Sequence, residues 1–348
     1  MAQIIVLYTL LFLSLLGSWH FTGKSIKHQQ SSKAELIYFI VLVIIITFRD
    51  GTVLRDYSNY VMLYEQGRLE GIEASWRIMC AIPIFFGTDV VGVLFLYAIL
   101  SIGIRFYAII RYSPFILFSL SVWFSSTLLL HDMIQIRAAI SSALLLLLLP
   151  LLYERRWMVC VVLFLVAFFF HRSAIIFLPL FFLSHKRTNW IFWVGLLILA
   201  MIFNILQIDI IGFMGLNDLF RAVQLVEGDI YNIKQAKTMV NLFSPLAFLQ
   251  IITCCFCIYR YERIKIIFPS CGLFIKTAII GIIINSLSLG VVSTRLAELL
   301  SVTLIFLYPC AMLWYTGKYS VVLGKATVSM ICIFILTNYI FLQHFIEL

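Results

Sequence analysis

The chain has 348 residues, of which 63% are hydrophobic and only 12% charged, with a mean hydropathy of +1.06 and a formal net charge of +9. A soluble domain carries roughly 45–50% apolar and about 25% charged residues, so a soluble enzyme, a secreted disulfide scaffold and a disordered chain are excluded. A spanning helix needs ~20 residues, so the length accommodates about a dozen spans; the positive charge then reads as membrane topology rather than as a nucleic-acid partner.

Apolar segments are predicted at about 3–18, 36–48, 90–110, 115–130, 134–152, 157–170, 173–183, 190–206, 241–259, 272–290, 296–315 and 326–345. The expected fold class is therefore an all-α polytopic integral membrane protein of about 12 transmembrane or re-entrant helices. Residues 1–348 read as a single transmembrane domain with two long outer loops at about 49–89 and 207–240. No basic residue precedes the first segment and no small-residue cleavage site follows it, so it reads as a retained span. Within the first long loop, Trp76 to Phe86 is apolar but short, as expected of an interfacial or re-entrant piece. The eight cysteines lie in or beside apolar stretches without metal-ligand spacing. Cys254, Cys255 and Cys257 share one predicted span and read as packing residues.

Charge sets the orientation. Loops on one side carry 13 basic residues, from Lys24 to Lys325, against three acids, whereas the opposite side carries ten against thirteen. The basic side is thus expected to be cytoplasmic, with both termini on the outer face. Arg105 and Lys276 fall inside spans near the cytoplasmic ends, where they are expected to snorkel.

The segments at 157–170 and 173–183 are short, spanning roughly 20 and 16 Å as α-helix against a hydrocarbon core of about 30 Å. Merging them into one helix would put Lys186 and Arg187 outside and invert every later loop. A hairpin entering from the cytoplasm keeps the charge bias, with Phe170-His171-Arg172-Ser173 at its tip. A turn at that depth needs a polar cavity or a protein cover.

The outer-face charges are Arg49, Arg55 and Asp56 in the first loop, and His131, Asp132 and Arg137 around the 130–137 turn. Further along lie His171 and Arg172, then Arg295 and Glu298. Guanidinium groups are permanently charged and bind phosphate oxygens in a bidentate manner, so Arg49, Arg55, Arg137, Arg172 and Arg295 suit a lipid-linked diphosphate. Asp56, Asp132 and Glu298 are candidates for a general base on a sugar hydroxyl. Each group also has a plainer structural reading. Arg295 and Glu298 are three apart and can form an intrahelical pair, Arg137 can pair with Asp132, His171 can satisfy backbone groups at the hairpin tip, and Arg49 can be an interfacial anchor. The charged loop at 207–240 reads as a solvated amphipathic cover.

In these pieces the chain resembles the EpsG-type family of bacterial polysaccharide polymerases, the Wzy-like enzymes of O-antigen and exopolysaccharide assembly. The matching residues are Arg49, Asp56, Tyr57 and Tyr60 after the second span; Gln135, Arg137, Ala138 and Ala139; Phe170, His171 and Ser173 ahead of Leu178-Pro179-Leu180; and Arg295 ahead of Tyr308-Pro309. They cover roughly residues 37–310. The first loop departs from the pattern, running Thr52-Val53-Leu54-Arg55-Asp56 without a compact Gly-x-Asp approach. The resemblance implies a GT-C-like glycosyltransferase architecture and glycosyl transfer at the periplasmic face of a bacterial inner membrane. The implied donor is a glycan on undecaprenyl diphosphate and the acceptor is one lipid-linked repeat unit. Arg137, Arg172 and Arg295 would hold the diphosphate, assisted by Arg49 or Arg55, with Tyr57, Tyr60 and Gln135 beside the substrate. Asp56 or Glu298 would be the base, with His171 as the rival. No metal or other cofactor is expected. Expected partners are undecaprenyl-diphosphate-linked glycans, membrane lipids, a chain-length regulator and a flippase, and no nucleic acid. A lipid-linked oligosaccharide flippase and an O-antigen ligase are the competing functions.

Overall fold

The computed structural model describes residues 2–21, 33–49, 51, 54, 56–67, 73–184, 189–213, 244–287 and 291–342. Those residues form an all-helical, membrane-embedded protein. Four helical stretches are long and apolar enough to cross a membrane, Val90–Tyr112, Ile136–Tyr153, Ser293–Leu313 and Ser320–Phe341. A fifth arises if the bent pair Ile116–Ser125 and Leu128–Ile134 counts as one span. Further apolar helices occupy the other predicted segments, among them Ala2–Phe21, Lys33–Thr47, Trp190–Ile205, Pro245–Tyr259 and Cys271–Ser286. Large apolar side chains remain exposed along them, including Phe12, Ile44, Met158, Ile191 and Met330. Water would not tolerate such a surface and hydrocarbon does.

Local chemistry accounts for where the helices start. Asp89 accepts from the Val91 N–H ahead of Val90–Tyr112, and Asn189 accepts from the Phe192 N–H ahead of Trp190–Ile205. Ser244 accepts from the Ala247 N–H with Pro245 in the first turn of Pro245–Tyr259. Each cap satisfies an N–H that has no intrahelical acceptor, and proline suits the first turn because its missing N–H is not needed there.

The described chain divides into two compact units, one of Met1–Leu69, Ser75–Ala143 and Tyr308–Leu348, the other of Glu70–Ala74 and Leu144–Leu307. In the first, the Ile116–Ser125 helix is the core element, almost wholly buried and packed by the helices Ala2–Phe21, Val90–Tyr112 and Ser320–Thr337. Hydroxyl bonds stitch these helices together, Ser14 with Ser121 at 2.7 Å and Tyr8 with Thr337 at 2.8 Å. Such bonds are favoured where no water competes for them. After Ser126 the helix turns by 63° into a π-helix, Leu128–Ile134.

In the second unit, the Cys271–Ser286 helix is central. It is packed by Trp190–Ile205, Pro245–Tyr259, Tyr261–Ile267 and Val291–Ser301. Gly281 allows the last of these its approach, since a Cβ there would sit 3.2 Å from the Leu300 Cβ. The 157–184 region breaks at His171, as the charge bias requires. The α-helix Trp157–Phe170 is followed by a 3-10 helix, Arg172–Phe182, packed back along it. The Trp157 and Phe181 rings stack at 6.4 Å at the open end of this hairpin. Residues three apart eclipse one another in a 3-10 helix, and one such row, Ala174, Phe177 and Leu180, is fully buried.

Two expectations are corrected. Arg105 and Lys276 do not snorkel: they are 0% and 2% exposed. Each has an interior partner, which removes the reason for the head group to seek the interface. Lys276 Nζ donates to the Ser184 carbonyl at 2.6 Å, and Arg105 pairs with Asp132.

Candidate functional site

In the first unit the site begins where the Lys33–Thr47 helix ends. Arg49 follows it by two residues and is 5% exposed. Its Nη1 donates to the Ile46 carbonyl at 2.8 Å, one of the helix's unsatisfied C-terminal acceptors. Its guanidinium lies 5.9 Å from the centre of the Tyr57 ring. Gly51 makes this possible, because a Cβ at that position would overlap the Tyr57 ring. Nε and Nη2 of Arg49 are buried without a hydrogen-bond partner among the described residues. Burial pushes the Arg49 guanidinium down from 12.5 to about 10, against the opposing influence of Tyr60, Tyr57 and Asp132. The charge is therefore still present at neutral pH and desolvated.

Tyr57 and Tyr60 lie on the short helix Tyr57–Glu65, and Asp56 occupies its N-cap position without a side-chain capping bond. Tyr60 is buried, its ring 5.7 Å from that of Trp76, which in turn is 6.1 Å from Tyr97. Of these aromatics, Tyr57 and Tyr60 are the ones close enough to Arg49 to act on its charge. The apolar stretch expected from Trp76 to Phe86 is the helix Ala74–Phe85.

The same unit holds a buried ion pair between Arg105 and Asp132. Arg105 Nη1 donates to Asp132 Oδ2, and the Trp123 Nε1 donates to the same oxygen at 3.0 Å. Arg105 Nη2 reaches the Ala139 carbonyl and the Ser142 hydroxyl. Asp132 thus pairs with Arg105 rather than with Arg137, and its charge is balanced where it stands. Both bonds fall on Oδ2, and Oδ1 is buried without a hydrogen-bond partner among the described residues. Through Arg105, Asp132 is held against the C-terminal half of Val90–Tyr112. The π-helix carries Asp132 there, and the Gln135 N–H closes it on the Leu130 carbonyl. Arg137, half-buried, stands in the first turn of Ile136–Tyr153.

In the second unit the hairpin tip is built differently. His171 adopts an extended backbone between the two arms, and its ring caps neither of them. Its N–H donates to the Ala167 carbonyl and its carbonyl accepts from Ala174. The backbone is satisfied without the ring, so the reading of His171 as a backbone partner falls. The ring instead meets Glu73, with Nδ1 and Oε1 3.2 Å apart. Arg172 is the next residue, half-buried. Arg295 and Glu298 share the helix Val291–Ser301, which packs on the 3-10 arm that carries Arg172.

Sequence reasoning missed Glu73, Arg105 and Trp76. Glu73 stands immediately before an apolar helix, where an acid complements the helix dipole, and that position was the one available signal. Arg55 and the loop charges between 214 and 243 lie outside the described residues. Among the described residues, no three His, Cys, Asp or Glu side chains come together.

Comparison with curated proteins and with solved structures gave no match. The family described as the EpsG family matches residues 35–347, and the chain belongs to it.

Proposed function

We propose that this member of the EpsG family, an association with polysaccharide-polymerase-type enzymes, is a membrane-embedded glycosyltransferase that joins lipid-linked oligosaccharide repeat units into O-antigen or exopolysaccharide. The donor is the growing glycan on undecaprenyl diphosphate, and the acceptor is a single repeat unit on the same carrier. An acceptor hydroxyl attacks the anomeric carbon of the donor, the bond from that carbon to the diphosphate oxygen breaks, and undecaprenyl diphosphate leaves. A diphosphate is already a good leaving group, so the demand on the protein is to stabilise the charge that develops on it and to accept one proton.

The observation that carries this reading is Arg49, a buried cation whose Nε and Nη2 have no hydrogen-bond partner among the described residues. A buried charge is retained at a cost, and two oxygens of one phosphate can accept from Nε and Nη2 together. In this reading Arg55 and Arg137, with Tyr57, Tyr60 and Gln135, serve the substrate from the first unit, and Arg172 and Arg295 are the phosphate-binding cations of the second. Asp56, Glu298 and His171 are the proton acceptors open to it. In this reading the protein is a GT-C-like enzyme of the bacterial inner membrane with its active face and both termini in the periplasm. The charge bias supports that orientation, as does the bond from Lys325 to the Trp19 carbonyl at 2.8 Å, which joins two groups assigned to the cytoplasmic side. A flippase that delivers the substrate and a chain-length regulator are its expected partners.

Deleting the gene and resolving the surface glycan on a gel tests this function. A polymerase deletion leaves single repeat units on the lipid anchor or core. A flippase or ligase deletion leaves none, and unchanged long chains overturn the proposal outright.

A further inference from the structure

We propose that His171 and Glu73 form the proton-accepting pair of this site, with His171 as the catalytic base and Glu73 as the residue that positions it; the proposal rests on the polymerase reading above. The two lie 98 positions apart in the chain, yet Nδ1 and Oε1 are 3.2 Å apart, with side chains 16% and 9% exposed. A carboxylate can only accept a hydrogen bond. Nδ1 therefore carries the proton, and Nε2 presents its lone pair. Nε2 has no partner among the described residues. An imidazole held in one tautomer by a carboxylate, with the other nitrogen available, is the arrangement that lets histidine take a proton from a hydroxyl.

The surroundings fit that use. His171 sits at the break between the two arms of the hairpin, where its backbone bonds are already made. The adjacent Arg172 belongs to the proposed diphosphate clamp, so the proton acceptor and a cation for the leaving group are consecutive residues on one rigid turn. In the step itself, Nε2 takes the proton of the acceptor hydroxyl as its oxygen bonds to the anomeric carbon. The diphosphate departs with the electron pair of the broken bond. The imidazolium, stabilised by Glu73, then passes its proton to water. Glu298 and Asp56 are the rivals.

The test uses the full chain in proteoliposomes with a lipid-diphosphate-linked repeat unit purified from a deletion strain. His171→Ala is expected to lower kcat by about 10²-fold or more, the scale of general-base catalysis, with KM within about twofold of wild type. Added imidazole is expected to restore part of the lost rate, which a structural histidine would not show. Glu73→Gln is expected to lower kcat by about tenfold or more, as for other residues that orient a functional group, while Glu73→Asp keeps most of it. His171→Gln, which preserves a polar side chain at the tip, replaces His171→Ala should the latter fail to fold. A wild-type chain that does not polymerise removes both this proposal and the function it rests on. An active wild type whose His171 and Glu73 variants keep their kcat, or whose loss imidazole does not relieve, removes the pair alone.

Discussion

Replacing Arg49 by methionine removes the guanidinium and keeps most of the side-chain volume. The fold holds this charge at a pKa of about 10 in place of 12.5, and each unit is worth about 1.4 kcal/mol, so retaining the charge costs about 3 kcal/mol. The substitution also forfeits the bond to the Ile46 carbonyl, about 1.5–3 kcal/mol for a charged donor, and the contact with Tyr57, about 0.5–2 kcal/mol. These contributions nearly cancel, and the variant should melt within a few degrees of wild type in detergent. Its function should not survive. Two charge-assisted bonds to phosphate amount to about 3–6 kcal/mol, or at least about 10²-fold in polymerisation rate. Millimolar pyrophosphate should raise the melting temperature of wild type and leave Arg49→Met unchanged. The sign with pH follows from the lowered value. The unfolded chain binds more protons between about pH 10 and 12.5, so the ligand-free protein loses this destabilisation across that window as pH rises. The anion-dependent stabilisation disappears over the same range. A variant that melts far below wild type yet still makes long glycan would refute the reasoning, because Arg49 would then support the fold and bind no anion.

Arg105→Leu leaves Asp132 buried without its cation and should cost about 3–5 kcal/mol, read as loss of protein from the membrane fraction; the double variant Arg105→Leu/Asp132→Leu should recover most of it, and a single variant at wild-type abundance would contradict the pairing. Gly51→Ala should push Tyr57 away from Arg49 and shorten or abolish the glycan at near-normal protein level, whereas unaltered chain length would show that this contact is dispensable. Arg137→Ala and Arg295→Ala should each abolish polymerisation with normal abundance, and retained long chains would return them to structural roles. A chelator should leave the rate in proteoliposomes unchanged, and a loss restored by a divalent ion would overturn the metal-free mechanism.

Hydropathy made the helical segments legible to within a few residues, because a bilayer demands long apolar runs and charges confined to their ends. It also located the break at His171, since only a hairpin keeps Lys186 and Arg187 on the basic side. Hydropathy is blind to pitch, however. The π-helix at 128–134 and the 3-10 helix at 172–182 contain the same apolar residues an α-helix would. The Arg49 and Tyr57 contact was within reach, being eight residues apart with a glycine between. Arg105 with Asp132, and His171 with Glu73, are long-range pairs with no periodic trace in the sequence. Rules for single residues, snorkelling above all, pointed Arg105 the wrong way because they assume that no partner waits in the interior.

The hairpin arms differ in length by count but hardly in reach. Fourteen residues at the α-helical rise extend about 21 Å, while eleven at the 3-10 rise extend about 22 Å. The eleven-residue arm would fall about 5 Å short as an α-helix, so its tighter winding allows both arms to meet level at His171. The depth of the tip is thus a matter of thread pitch. Lengthening or shortening the second arm by one residue would move Arg172 by about 2 Å and turn the buried Ala174, Phe177 and Leu180 row through about a third of a revolution. Tolerance for such changes should be far lower here than in the α-helical arm beside it.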